Sequence, residues 1–145
     1  MTEMMEVAMQ GPPGAPGAPG EVDAGTAVAG EFLARGMPLY LSRATGQAGV
    51  ADAAVYTKSF VAGYATANTA AGFVVTLAFG AVEMADWSAV AGTPLLLPGV
   101  PYFLKPGGGL SASPPAKPAS AALTVVGSSL SPTRLMVRPM QPFLL

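Results

Sequence analysis

Residues 36–46 read GMPLYLSRATG and residues 99–109 read GVPYFLKPGGG. Aligned on their first glycine, the two stretches share Gly36 with Gly99, Pro38 with Pro101, Leu41 with Leu104 and Gly46 with Gly109. Further along, Val61-Ala62-Gly63 is matched by Val125-Val126-Gly127. Each unit ends on an apolar run, Phe73–Phe79 in the first and Leu135–Val137 in the second. Several aligned positions in one register point to an internal duplication with a period of 63 to 64 residues, covering about 36–79 and 99–138. Residues 81–98 join the two halves.

Each half is built from short β-type runs. Pro38–Ser42, Ser59–Ala65, Phe73–Phe79, Pro101–Lys105, Leu123–Leu130 and Leu135–Arg138 are rich in aromatic and branched side chains, and clusters of Gly, Pro and Ser separate them. Within Ser59–Ala65 a strand would turn Phe60, Ala62 and Tyr64 to one face. Residues 106–109 (PGGG) read as a tight reversal, and Pro-rich 111–120 as a loop. A helical turn fits the body only at Ala51–Thr57. The expectation is an all-β body at 30–145, a small β-barrel or sandwich, with a β-tulip-like form among the candidates.

The first 29 residues differ in character and are expected to form an extended N-terminal arm. Met1, Met4, Met5, Ala8 and Met9 fall at helical spacing, with Glu3 and Glu6 off that stripe. So short a helix is marginal without a partner surface, and Met side chains suit an imperfect groove. Residues 11–20 read GPPGAPGAPG, with glycine at every third position. Pro12, Pro13, Pro16 and Pro19 fill the intervening places. This is the collagen spacing, in which only glycine fits at the axis of three polyproline strands. Three triplets need a trimeric body to bring the chains together. A stiff polyproline spacer is the other reading.

Charge divides at the same boundary. Through residue 31 the ionisable side chains are Glu3, Glu6, Glu21, Asp23 and Glu31, all acidic. Beyond it seven bases face three acids, for a total of −1. Charged residues are 10% of the chain and hydrophobic ones 51%, against about 25% charged in an average soluble domain. So apolar a surface is expected to be hidden by self-association or by docking onto a larger body.

Composition excludes much chemistry. With no Cys and no His, disulfides, thiolate or imidazole metal sites and Ser-His-Asp catalysis are out. Glu83 and Asp86 lie three apart in GAVEMADW and read as a polar turn leading into Trp87. The glycine-rich PGGG and GQAG lack the Gly-Lys-Ser/Thr of a phosphate loop. Neither an enzyme nor a cofactor is expected. Net charge −1 gives no bulk attraction to nucleic acid, and the weakly polar run 70–82 is short for a spanning helix, so neither partner is expected. Tyr40, Trp87, Tyr102 and Phe103 are candidate core or interface anchors. Arg134 and Arg138, four apart, share a strand face and suit a charged sheet edge.

Three runs carry a resemblance: DWSAV at 86–90, PGVPYFLKPGGGLSASPP at 98–115 and VVGSSLSPTRLMVRP at 125–139. Together they resemble a recurring module of tailed-phage virion proteins. That module has an Asp-Trp-x-x-Leu run, then Gly-x-x-Tyr-Tyr-Leu-x-x-x-Gly-Gly-Leu-x-x-x-Pro-Pro, then Val-Gly-x-x-x-Ser-x-Thr-x-Leu-x-Val. It occurs in head decoration proteins, head fibres and tail-fibre segments, sometimes behind collagen-like triplets. The likeness is good over about 80–145 and loose over 30–79. Here residues 91–98 add length before Gly99, and Tyr102-Phe103 replaces the paired tyrosines. The resemblance implies a structural protein on the outer surface of the capsid, a homotrimeric decoration, cement or head-fibre protein. Its partners would be the major capsid protein and its own copies. Met4, Met5 and Met9 with the four arm prolines would be its docking or trimer-forming residues. A tail-fibre or receptor-binding tip is the alternative, and a collagen-like surface adhesin a third.

Overall fold

The computed structural model describes residues 21–145, and the body is all-β. In chain order the strands are β1 (Glu21–Val28), β2 (Pro38–Leu41), β3 (Ala48–Val50), β4 (Gly63–Ala65), β5 (Val74–Glu83), β6 (Pro101–Leu104), β7 (Leu110–Ser111), β8 (Ala122–Leu123), β9 (Val125–Ser131), β10 (Arg134–Val137) and β11 (Phe143–Leu144). A single helical turn, α1 (Ser88–Ala91), lies between β5 and β6. Eight strands make one antiparallel path, β3-β2-β4-β5-β10-β9-β6-β7, curled into a half-barrel. β8 and β11 pair with each other apart from it.

That strand order reads the same from both ends. β3 corresponds to β7, β2 to β6, β4 to β9 and β5 to β10. The register agrees with the sequence repeat. Pro38 faces Tyr64 and Leu39 faces Gly63, while Pro101 faces Ser128 and Tyr102 faces Gly127. The correspondence begins earlier than residues 36 and 99. Leu33 donates its N–H to the Thr69 carbonyl at 2.8 Å, and Leu96 donates to the Pro132 carbonyl at 2.8 Å. Gly36 bonds to Ala65 and Gly99 to Ser129 in the same way. Within this chain, residues 91–98 are thus the counterpart of the segment that enters the first half.

The arm-body boundary also moves. Of the expected arm 1–29, Glu21–Val28 is a strand in register with β5, from Glu21 beside Gly80 to Val28 beside Val74. Leu77 and Ala78 pair with β4 on one edge of β5 and with β1 on the other. Gly80 likewise pairs with Glu21 of β1 on one edge and Val137 of β10 on the other, so β10, which takes Gly80 to Glu83, follows β4 along the edge opposite β1. Asp23 accepts the Gly25 N–H at 2.8 Å, where the β1 ladder shifts register. Residues 1–20 lie outside the described residues, and with them Met4, Met5, Met9, Pro12, Pro13, Pro16 and Pro19.

Alternation along β5 supplies two apolar clusters. Ala78 and Val82 join Trp87, Leu104, Val126 and Leu135 in the larger one. Val75 and Leu77 join Leu33, Leu39 and Ala65 in the smaller one. Successive side chains of a strand point to opposite faces, so one long strand can serve both. The two ends of the curled sheet meet through the segment after β3. The Asp52 carboxylate accepts the Gly107 N–H at 2.8 Å, and Ala53 donates to the Lys105 carbonyl at 3.3 Å.

One expected strand is mostly absent. Of Ser59–Ala65 only Gly63–Ala65 pairs. A 3-10 turn, Tyr56–Lys58, sits within or just beyond the expected helical turn, and Ser59 donates back to Tyr56. The chain rejoins the sheet four residues later than expected. Tyr64 is buried, but Phe60 stands 41% exposed, not beside it in the core.

Candidate interaction surface

The candidate anchors separate into core and surface. Trp87 is fully buried, and its indole N–H donates to the Thr133 carbonyl at 3.0 Å. Tyr102 is nearly as buried, and its hydroxyl accepts the Leu97 N–H at 2.8 Å. Buried aromatic rings with a satisfied polar tip are structural anchors. These two hold the second half together and present no surface to a partner. Tyr40 and Phe103 are half-buried. The Lys58 ammonium lies 5.8 Å from the Tyr40 ring centroid, within cation–π range.

Arg134 and Arg138 do not guard a sheet edge. β10 is flanked on both sides, by β5 and β9, so Arg134 stands in the middle of the sheet. Its guanidinium is 4.0 Å from the Glu83 carboxylate. Both side chains are solvated, so the pair contributes little. Arg138 is exposed just past β10, and its backbone N–H donates to Val126.

Glu83 and Asp86 form no acid–base pair. Glu83 ends β5, while Asp86 turns to Ser88 and accepts both its hydroxyl and its N–H. Those two hydrogen bonds, the hydroxyl's first, hold the Asp86 carboxyl below its ordinary range. Among the described residues no cluster of acids could hold a metal ion, and no helix is long and apolar enough to cross a membrane.

A polar contact that sequence reasoning missed ties β1 down. The buried Tyr64 hydroxyl donates to the Glu21 carboxylate at 2.6 Å. Burial, then the hydrogen bond to Glu21 and its negative charge, push the phenol well above its ordinary range. Only the general need of a buried tyrosine for a partner could have signalled it.

The outside of the body carries large apolar side chains. On the β1–β5 face Val28 and Val74 are cross-strand neighbours, and Phe73 beside them is 68% exposed. Leu95, Leu97 and Leu130 are exposed elsewhere, as are Phe143 and Leu144 of β11. A further group forms a cleft of about 390 Å³, lined by Leu41, Arg43, Tyr56, Thr57 and Phe60. Tyr56 and Phe60 meet edge to face, with centroids 5.2 Å apart and planes at 78°. Sequence reading missed this cleft because it placed Phe60 inside a strand. The departure of residues 59–62 from the sheet is what turns the ring outward.

No protein-family model matches the chain, and no curated protein matches it.

Proposed function

We propose that the protein is a non-enzymatic structural component of a tailed-phage virion. In this reading it is a homotrimeric capsid decoration protein, of the cement or head-fibre kind, that docks on the outer surface of the assembled head. Phe32, Phe73, Val74, Leu97, Phe143 and Leu144 carry the proposal, each at least 60% exposed on an all-β body. Apolar surface on this scale is ordinarily covered by a partner. The resemblance of residues 98–139 to virion modules supports the same reading, and the collagen-like spacing of glycines 11 to 20 supports three copies.

The mechanism is mechanical. Each copy buries apolar surface against its sisters and against the major capsid protein. Because only the assembled shell presents the complete binding site, docking stabilises the shell by mass action. A contact of about 1,600 Å² is of the size such docking uses. Sedimentation equilibrium at micromolar concentration tests the trimer. A single species of three times the chain mass is expected, and a stable monomer would contradict the proposal.

One observation favours the second reading, a receptor-binding or tail-fibre tip. Tyr56 and Phe60 are presented in a loop beside Arg43, as a ligand-binding surface would present them. Binding of the protein to tails and not to heads would select this alternative.

A further inference from the structure

We propose that the cleft between Leu41, Arg43, Tyr56, Thr57 and Phe60 receives residues 1–10 of a second copy of the chain. The inference rests on the self-association proposed above and not on the capsid.

The cleft has the chemistry of a groove for an acidic, methionine-rich segment. Its walls are Leu41 and the paired rings of Tyr56 and Phe60, all between 37% and 46% exposed. Its one charged lining residue is Arg43, and Lys58 follows Thr57 on the 3-10 turn. Residues 1–10, MTEMMEVAMQ, supply what such a groove lacks: four methionines, Glu3 and Glu6, and no basic side chain. Methionine is flexible and polarizable and packs well against aromatic rings. The two glutamates complement Arg43 and Lys58 in charge, which selects the partner and its orientation.

Chain length permits exchange between copies. The described chain begins at Glu21, held by Tyr64, and Tyr64 faces Pro38 at the start of β2. Leu41 closes β2, three residues on, or about 10 Å along the strand. Residues 11–20 (GPPGAPGAPG) stand between Glu21 and the methionine segment. A proline-rich spacer of ten residues reaches about 31 Å. That reach is enough for the segment to enter the cleft of a neighbouring copy in the proposed assembly.

Photo-crosslinking in the full-length protein tests this. A benzophenone amino acid replaces Thr57, and heavy- and light-isotope preparations are mixed, dissociated and reassembled before irradiation. Cross-linked peptides joining position 57 to residues 1–10 are expected as mixed heavy–light pairs. Arg43→Glu should lower their yield about tenfold, equivalent to about 1.4 kcal/mol. Adding Glu3→Lys and Glu6→Lys should restore it. Pairs of one isotope only, or no cross-link to residues 1–10, would overturn the inference. Sedimentation of the same sample separates the two ideas. A trimer without mixed cross-links overturns the cleft assignment alone, whereas a monomer overturns both.

Discussion

Gly63 and Gly127 occupy the same place in the two halves of the sheet, and each faces the carbonyl of the strand beside it. A Cβ on Gly63 would stand 3.0 Å from the Ala78 oxygen, and one on Gly127 would overlap the Met136 oxygen. Ala78 and Met136 are themselves equivalent, since they pair with Tyr64 and Ser128. The two halves therefore share a close backbone approach as well as a strand order. Gly127→Ala should destabilise the body by about 3 kcal/mol or more, because the obstacle is main chain and cannot rotate away. Gly107→Ala is the control: its backbone is left-handed with open space around it, so only about 1 kcal/mol is expected. Urea denaturation of both variants measures the difference. Equal losses would remove the packing explanation.

The Tyr64–Glu21 hydrogen bond should decide whether β1 stays on the sheet. β1 is mostly exposed, so little apolar burial holds it. Tyr64→Phe should cost about 1–3 kcal/mol. Hydrogen exchange at Val22–Val28 should speed up at least about tenfold, while β9 and β10 keep their protection. Unchanged exchange in β1 would show that the main-chain ladder suffices.

The same tyrosine gives a pH dependence of definite sign. Its pKa is raised in the folded state, so the fold favours the neutral phenol. That stability is complete below the unfolded value near 10 and is lost as the pH climbs from there toward the higher folded value. Wild type should therefore lose stability above about pH 10 more steeply than Tyr64→Phe. Parallel curves for the two proteins would contradict the assignment.

Trp87 joins the turn after β5 to the second half. Trp87→Ala should cost about 3–5 kcal/mol through the cavity it leaves. Trp87→Phe keeps most of the apolar contact and loses the indole hydrogen bond, while the Thr133 carbonyl still accepts the Met84 N–H, so it should cost less, about 1–2 kcal/mol. Thermal unfolding of both variants ranks them, and the reverse order would mean that the hydrogen bond matters more than the packing.

Deleting residues 1–20 should leave the body folded, because the described sheet begins at Glu21. Circular dichroism should be close to that of the full chain, while the proposed attachment to capsids should weaken through loss of the proposed trimer. Capsid binding unchanged by the deletion would make the segment a spacer only.

The repeat was legible because its markers are residues with few substitutes. Gly63 and Gly127 answer to backbone proximity, and Pro38 and Pro101 open equivalent strands. β1 was not legible. Its sequence EVDAGTAV shows no buried alternation, since the strand is held by main-chain bonds and one distant tyrosine. The cleft was hidden for a related reason. Two-residue periodicity through 59–65 puts Phe60 on the same face as Tyr64, and nothing local announces that residues 59–62 leave the sheet. The arginines failed as edge guards because edge position depends on which strands lie on either side, and the local sequence does not specify that.

The most direct test of the proposed decoration role is to incubate purified protein with undecorated capsids of the tailed phage that the proposal assigns it to and image them by cryo-electron microscopy. The account predicts added density at threefold or quasi-threefold sites on the outer surface of the head. A bare shell, with the protein found on the tail, would contradict it.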